Sequence, residues 1–271
     1  MKSFFGSDLL LNSESAKKIY AEVKGLPIID YHCHLDQYKI KEDAKFQNIG
    51  ELWLSGDHYK WRAMRLCGVG EELITGNSSW REKFRAYASV LPKLAGNPLY
   101  YWTHMELQQV FGIFEPLNAE SADRIFDAAN EKLQNISVST LLKQYRVEFV
   151  ATTDDPCDDL AAHGKYGGTI VAPTFRPDQL FKLDEAYLER LGETAGEDVS
   201  TLDGLLKAVE KRLVYFISRG CRISDHGFCR FAQYYVTHST AEELYSERKS
   251  LTEEQKEALF GYLLVELARL Y

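Results

Sequence analysis

Apolar residues in this chain repeat with two different periods, and the changes between them divide it. Near the start, Ala16, Ile19, Tyr20 and Val23 fall at three-to-four spacing behind Ser13 and ahead of Gly25, which predicts a capped helix over 13–24. The next segment, LPIIDYHCHL, breaks that period. Leu26 to Ile29 form a continuous apolar run, the pattern of a strand buried on both faces in a parallel sheet. From about residue 46 to 145, helical spacing returns in SWREKFRAYASVL, NPLYYWTHMELQQVFG and NAESADRIFDAANEKL, the last starting at Asn118 or Ala119. Strand-like runs reappear at 147–153, 169–175 and 221–227. The stretches DDPCDDLAAHGKY and STLDGLLKAVEKRLVYFISRG between them read as helical, as does the capped amphipathic end, SLTEEQKEALFGYLLVELARLY.

Strand alternating with helix, with polar residues at each strand's C-terminal end, predicts an α/β fold. The expected architecture is a partial (β/α)8 TIM-like barrel, about the first four β/α units, with a large helical insertion after strand 1. Residues 1–35 would start the barrel, 36–145 form the insertion and 146–271 supply units 2–4. A closed barrel of this type has eight strands, so the pattern also predicts a chain cut off before the second half, with two free sheet edges.

With 271 residues, 45% of them apolar, the chain can bury a substantial core. Its formal net charge of -8 and its lack of a Lys/Arg cluster argue against nucleic acid or an anionic membrane as partner. An anionic ligand would need locally placed Arg or Lys. No apolar run is long enough for a membrane span, and the N-terminus lacks a signal-peptide core. Five scattered cysteines, Cys33, Cys67, Cys157, Cys221 and Cys229, form no disulfide framework and predict reduced thiols in a cytoplasmic protein.

Candidate chemistry begins at His32 and His34, which at i and i+2 on a strand face one way and can reach one divalent ion. A polar pocket without metal is the alternative; the strand context and the loop that follows favour metal. Asp30 precedes them on the same face and either joins them or supports the strand end. In GDHYKWRAMRLCG, the residues His58, Tyr59, Lys60, Trp61, Arg62 and Arg65 form a candidate substrate lid offering a phenol and cationic donors. Read locally, the same segment is equally a basic helix start with Trp61 and Met64 turned inward.

Polar residues also end the later strands: Thr152 to Asp155, then Thr174, Arg176 and Asp178, then Ser224, Asp225 and His226. Singly each suits a helix cap, as Asp155 before Pro156 or Asp178 after Pro177. Three in succession make a barrel mouth. Arg176 suits bidentate recognition of a carboxylate, and Asp225 suits a proton acceptor or ligand-orienting role. Strand periodicity puts Asp225 and His226 on opposite faces. His104, His163 and His238 read as structural or exposed.

Together the opening F-x-x-x-D-L-L-L-N-S-E-x-A, LPIIDYHCHL, GDHYKWRAMRLCG, WTHMELQQVFGI, VATTDDPCDDL, APTFRPDQ and CRISDHG resemble the uronate (glucuronate) isomerases of the amidohydrolase superfamily. The resemblance implies a distorted β/α barrel that interconverts D-glucuronate and D-fructuronate, and D-galacturonate and D-tagaturonate, in hexuronate catabolism. It implies His32 and His34 as ligands of a divalent metal, zinc first and manganese second. Tyr59 and Asp225 would be catalytic, and His58, Arg62 and Arg176 would bind substrate. Proton transfer between C1 and C2 would pass through an enediol-like state.

The family's later histidine, arginine and Asp-x-Arg element have no counterpart in this chain. The expectation is an isomerase portion inactive alone, with a hexuronate substrate and homo-oligomeric association. Two alternatives are a metal-dependent hydrolase of the same superfamily and a non-catalytic partial barrel that self-associates.

Overall fold

A computed structural model of the chain describes residue 6, residues 8–228 and residues 231–271; Phe4 of the opening motif and Cys229 lie outside these. The elements run α1 (Glu14–Val23), β1 (Ile28–Asp30), α2 (Gln37–Lys41), α3 (Ile49–Leu54), α4 (His58–Leu66), α5 (Trp80–Val90), α6 (Pro98–Phe111), α7 (Ala122–Leu133) and α8 (Val138–Gln144). They continue with β2 (Val147–Ala151), β3 (Gly164–Tyr166), β4 (Thr169–Ala172), α9 (Glu185–Ala195), α10 (Leu202–Ser218), α11 (His238–Ser246) and α12 (Glu253–Leu270). The chain divides into two compact units, Met1–Leu26 with Asp43–Leu141 and Pro27–Glu42 with Leu142–Tyr271. No helix among the described residues is long and apolar enough to cross a membrane.

The first unit is helical, and its starts are set by side chains that take up orphan N–H groups. Ser79 and Glu82 form a capping box on α5, Asn97 with Pro98 opens α6, and Gly112 closes it in the left-handed conformation. α7 begins later than Asn118 or Ala119 because Asn118 Oδ1 accepts the N–H groups of Glu120 and Ser121 in a side-chain turn. The apolar faces of α3 to α7 meet around Trp53, Met64, Phe84, Tyr87, Leu107 and Phe126. α1 forms as its spacing predicts, yet Ile19, Tyr20 and Val23 are exposed.

His104 belongs to this core. Its Nδ1 donates to Tyr100 O (2.7 Å) and its Nε2 accepts from Leu117 N–H (3.0 Å), which requires a neutral ring. Burial pulls its pKa below the usual 6.5. The unfolded chain therefore binds more protons in that range, so this contribution to stability is present above it and is lost as pH falls through it. Lowering the pH from about 7.5 to about 5.5 is expected to reduce the urea midpoint of the wild type more than that of His104→Gln. Equal reductions in the two proteins would contradict the assignment.

In the second unit, β1, β2 and β4 pair in parallel and β3 pairs antiparallel to β4, in the order β1-β2-β4-β3. The mixed α/β arrangement matches the expected class, with three departures in detail. Among the described residues β1 has a strand neighbour on one side only, and Ile28 and Ile29 are 44% and 65% exposed instead of buried on both faces. Residues 221–227 are not a strand; they join the sheet by one parallel bridge, Phe175↔Ser224.

DDPCDDLAAHGKY, the third departure, is not a helix. Asp155 and Asp158 side chains accept the backbone N–H groups of Cys157 and Asp155, and Leu160 has a positive φ of 56°. Arg212 of α10 holds this loop by donating to Pro156 O and Asp158 O. The core below the sheet gathers Phe175, Leu188, Leu205, Phe216, Tyr245 and Leu263 from β4's end, α9, α10, α11 and α12.

Candidate active site

The C-terminal ends of the parallel strands carry the polar residues of the second unit. β1 stops at Asp30, so His32 and His34 lie in the connection after it and not on the strand itself. That connection is nevertheless tied to the sheet. Asp30 Oδ1 accepts the His32 N–H (3.3 Å), Cys33 N–H donates to Ala151 O (3.0 Å), and Thr153 Oγ1 donates to Cys33 O (2.9 Å). Cys33 is thereby held at the end of β2 with one imidazole on each side of it in sequence. The His32 and His34 rings stand edge-to-face with centroids 5.0 Å apart. Burial pushes the Cys33 thiol up to about 11, so it is a packed, protonated group and not a nucleophile.

Asp225 reaches this pair from the bridge at Ser224. Its Oδ2 lies 3.7 Å from His32 Nδ1 and 3.3 Å from Arg176 Nε, buried and without a hydrogen bond of good geometry. Arg176 Nε also donates to Asp178 Oδ2 (3.1 Å), which accepts the Gly227 N–H at 2.7 Å. Asp178 Oδ1 takes His226 Nδ1 at 3.0 Å, and His226 Nε2 meets the Tyr271 hydroxyl at 3.0 Å. Burial raises the Tyr271 phenol, keeping it protonated and able to donate.

The result is a continuous line from His32 through Asp225, Arg176 and Asp178 to His226. Two carboxylates share the Arg176 Nε, and its terminal nitrogens carry no hydrogen-bond partner among the described residues. That geometry leaves a fork of N–H donors for an anion. Gly227 makes room for it: a Cβ there would lie 2.5 Å from Arg176 Nη2.

A second cluster joins Thr152, Asp154 and Thr174, which the sequence reads as polar strand-end residues, to His163, which it reads as structural or exposed. Asp154 Oδ2 accepts from Thr152 Oγ1 (2.7 Å) and from Thr174 N–H (3.2 Å), and Oδ1 sits 3.4 Å from His163 Nε2. Asp154 and His163 are buried. The Asp154 carbonyl accepts the Arg176 N–H, so the cluster fixes the backbone that presents Arg176. The sequence reads Asp178 both as a polar strand-end residue and as a helix start; the i, i+2 spacing of Arg and Asp across Pro177 is the signal for its pairing with Arg176.

His58, Tyr59 and Arg62 are brought together in the first unit. Asp57 caps α4 by accepting from Tyr59 and Lys60 N–H groups. The His58 and Tyr59 rings lie 4.3 Å apart, and the Arg62 guanidinium sits 5.9 Å from the Tyr59 ring. Tyr59 is 57% exposed. Lys60 is not a free cationic donor: it is buried, with Nζ 2.6 Å from Asp57 Oδ2. Trp61 turns inward and donates to Leu54 O, while Arg65 pairs with Glu71.

The residues present match a metal centre in kind but not in number. Two adjacent imidazoles are suitable donors, yet no group of three or more His, Cys, Asp or Glu side chains is assembled to hold an ion among the described residues. His238, on the surface, contacts Tyr262 and Asp203; His226 is semi-buried against Phe228.

Comparison with known proteins bears on this arrangement. The glucuronate isomerase family model (UxaC) matches residues 1–271. The uronate isomerase of Shouchella clausii (strain KSM-K16) is 42% identical over all of this chain and 60% of its own length, and that of Geobacillus thermodenitrificans (strain NG80-2) is 41% identical over all of this chain and 61% of its own. The crystal structure of uronate isomerase from Thermotoga maritima superposes with a TM-score of 0.94 at 37% identity, covering 99% of this chain and 62% of that one. Glucuronate isomerase from Caulobacter crescentus gives 0.88 at 31% identity, covering 94% and 57%. The chain thus spans about three fifths of the length of the relatives it matches. With the family model matching end to end and curated relatives about 40% identical over the whole chain, this chain belongs to the glucuronate (uronate) isomerase family.

Proposed function

We propose that this chain is the larger part of a uronate isomerase, forming roughly the first four units of a β/α barrel that acts on hexuronates. The observation that carries this reading is the contact line His32–Asp225–Arg176 at the C-terminal ends of parallel strands. The reaction is aldose–ketose isomerisation of D-glucuronate to D-fructuronate, and of D-galacturonate to D-tagaturonate. Arg176 holds the substrate carboxylate through its unpartnered terminal nitrogens. Asp225, close to a guanidinium and an imidazole, accepts the proton from C2 of the open-chain sugar and returns it to C1 of the enediol, and Tyr59, with His58 and Arg62 beside it, contacts the sugar.

His32 and His34 are the two ligands this chain contributes toward zinc or manganese; the ion supplies charge stabilisation at a substrate oxygen when bound. Isomerase relatives leave the hydrolase alternative unfavoured. Free thiols at Cys33, Cys67, Cys157 and Cys221 suit a reducing compartment such as the cytoplasm.

The test mixes the purified chain with the segment of the Thermotoga maritima enzyme that it does not match and measures ketose formation from D-glucuronate. Turnover is expected from the mixture and not from either part alone. Release of amine or alcohol from amide or ester substrates, without ketose formation, would sink the proposal.

A further inference from the structure

We infer that His163 is a positioning residue for both Arg176 and Asp225, seated by a ladder of donors along one face of α10. The inference rests on the reading above, in which those two side chains meet the substrate. Arg212 and Tyr215 of α10 and Arg219 at its C-terminal cap stand three and four residues apart, so they share a face. Each donates to the backbone of the loop that brings in His163. Arg212 Nε and Nη2 reach Pro156 O (2.6 Å) and Asp158 O (2.8 Å), the Tyr215 hydroxyl reaches Asp159 O, and Arg219 Nη2 reaches Leu160 O (3.1 Å).

The ladder ends where the loop turns. Leu160 is 1% exposed and has a left-handed φ of 56°, a region that leucine occupies only where its surroundings hold it there. Its carbonyl oxygen also accepts the His163 N–H (3.2 Å), so the last rung fixes the backbone that carries the imidazole. The ring then meets Asp154. Thr152 Oγ1 gives its single proton to Asp154 Oδ2 (2.7 Å), so its 2.8 Å contact with His163 Nε2 requires the proton on that nitrogen. Asp154 Oδ1 lies 3.4 Å from the same Nε2, and the two side chains are 0% and 1% exposed, which leaves water no access to take the place of the imidazole.

Asp154 passes this position on. It forms a parallel bridge to Phe175, and Phe175 forms one to Ser224. Arg176 and Asp225 directly follow those two residues, and their N–H groups donate to Asp154 O (3.0 Å) and Phe175 O (3.1 Å). A shift of Asp154 therefore moves both side chains. Misplacement on the order of 1 Å is enough to impair a reaction that depends on orientation.

The test follows the Arg176 Nε–H signal by nuclear magnetic resonance in the isotope-labelled 271-residue chain, the signal being assigned by its loss in Arg176→Met. That proton is donated to Asp178 Oδ2 beside Asp225, so its chemical shift and exchange rate report the local geometry. His163→Leu should displace the signal and speed its exchange by about tenfold or more, and His163→Gln, which keeps an N–H near the Nε2 position, should restore most of the difference. Tyr215→Phe removes one rung and keeps the ring; about threefold faster exchange is expected. Leu263→Ala opens a cavity in the same core and controls for lost stability alone, so its Arg176 signal should stay at the wild-type position.

A wild-type signal in folded His163→Leu, no recovery in His163→Gln, or the same displacement in Leu263→Ala would overturn the inference. Should His163→Leu not fold, Tyr215→Phe decides, and unchanged exchange there overturns it equally. Titration with D-glucuronate is the separate readout. A signal displaced by the variants but unmoved by D-glucuronate in the wild type counts against the proposed function and leaves the positioning role standing. A signal that the sugar moves but the variants do not does the reverse.

Discussion

Replacing Asp154 by alanine is expected to destabilise the second unit by about 3–5 kcal/mol, the loss typical when one partner of a buried polar pair is removed. The carboxylate is 2% exposed and is the acceptor for Thr152 Oγ1 and Thr174 N–H while lying against His163 Nε2. Its removal leaves the buried Thr174 N–H without an acceptor and takes one acceptor from the Thr152 hydroxyl, while the His163 ring, whose Nδ1 has no partner, keeps only Thr152 Oγ1 at 2.8 Å from its Nε2. Asp154→Asn keeps one acceptor and should cost less. Urea denaturation of the two variants measures this, and a change below about 1 kcal/mol for alanine would show that the cluster is not holding the strand ends together.

A second large effect is expected at Arg176. In the mixture with the complementary segment, Arg176→Met should lower kcat/KM for D-glucuronate by about a hundredfold or more, ~2.7 kcal/mol in the transition state. The variant removes the only guanidinium in the line between Asp225 and Asp178 and leaves two carboxylates facing each other's charge. Arg176→Lys should recover little, because a point-charge ammonium cannot span two carboxylates and still offer a two-pronged fork. Wild-type turnover in Arg176→Met would remove Arg176 from substrate binding. Gly227→Ala offers an indirect check, since its Cβ would displace the Arg176 terminus without changing any charge.

Much of the fold is legible in the sequence alone. Helices α5, α6, α10 and α12 appear where three-to-four spacing places them, since each buries one apolar stripe behind a polar cap, a pattern fully written in local sequence. The residues ending β1, β2 and β4 were recognisable because strand ends in an α/β sheet change abruptly from apolar to polar. The segment at 155–163 misled because its aspartates cap their own backbone in turns, and composition does not distinguish that from a helix start. β1 misled in the opposite way. Its apolar run implied neighbours on both sides, and the described residues supply one.

What the sequence determined by itself is the family, the element types and the identity of the charged and imidazole side chains gathered at the strand ends, because these depend on near neighbours and on joint motifs. The tertiary structure alone decided which of those side chains touch. It joined Asp178 and His226 to Arg176, buried Lys60 against Asp57, and left Asp225 Oδ2 between His32 and Arg176. Residues 32, 176 and 225 are distant in the chain, and only parallel pairing of the segments that carry them brings their side chains within a few ångströms. No local periodicity encodes that register, since long-range strand pairing is set by how whole faces pack.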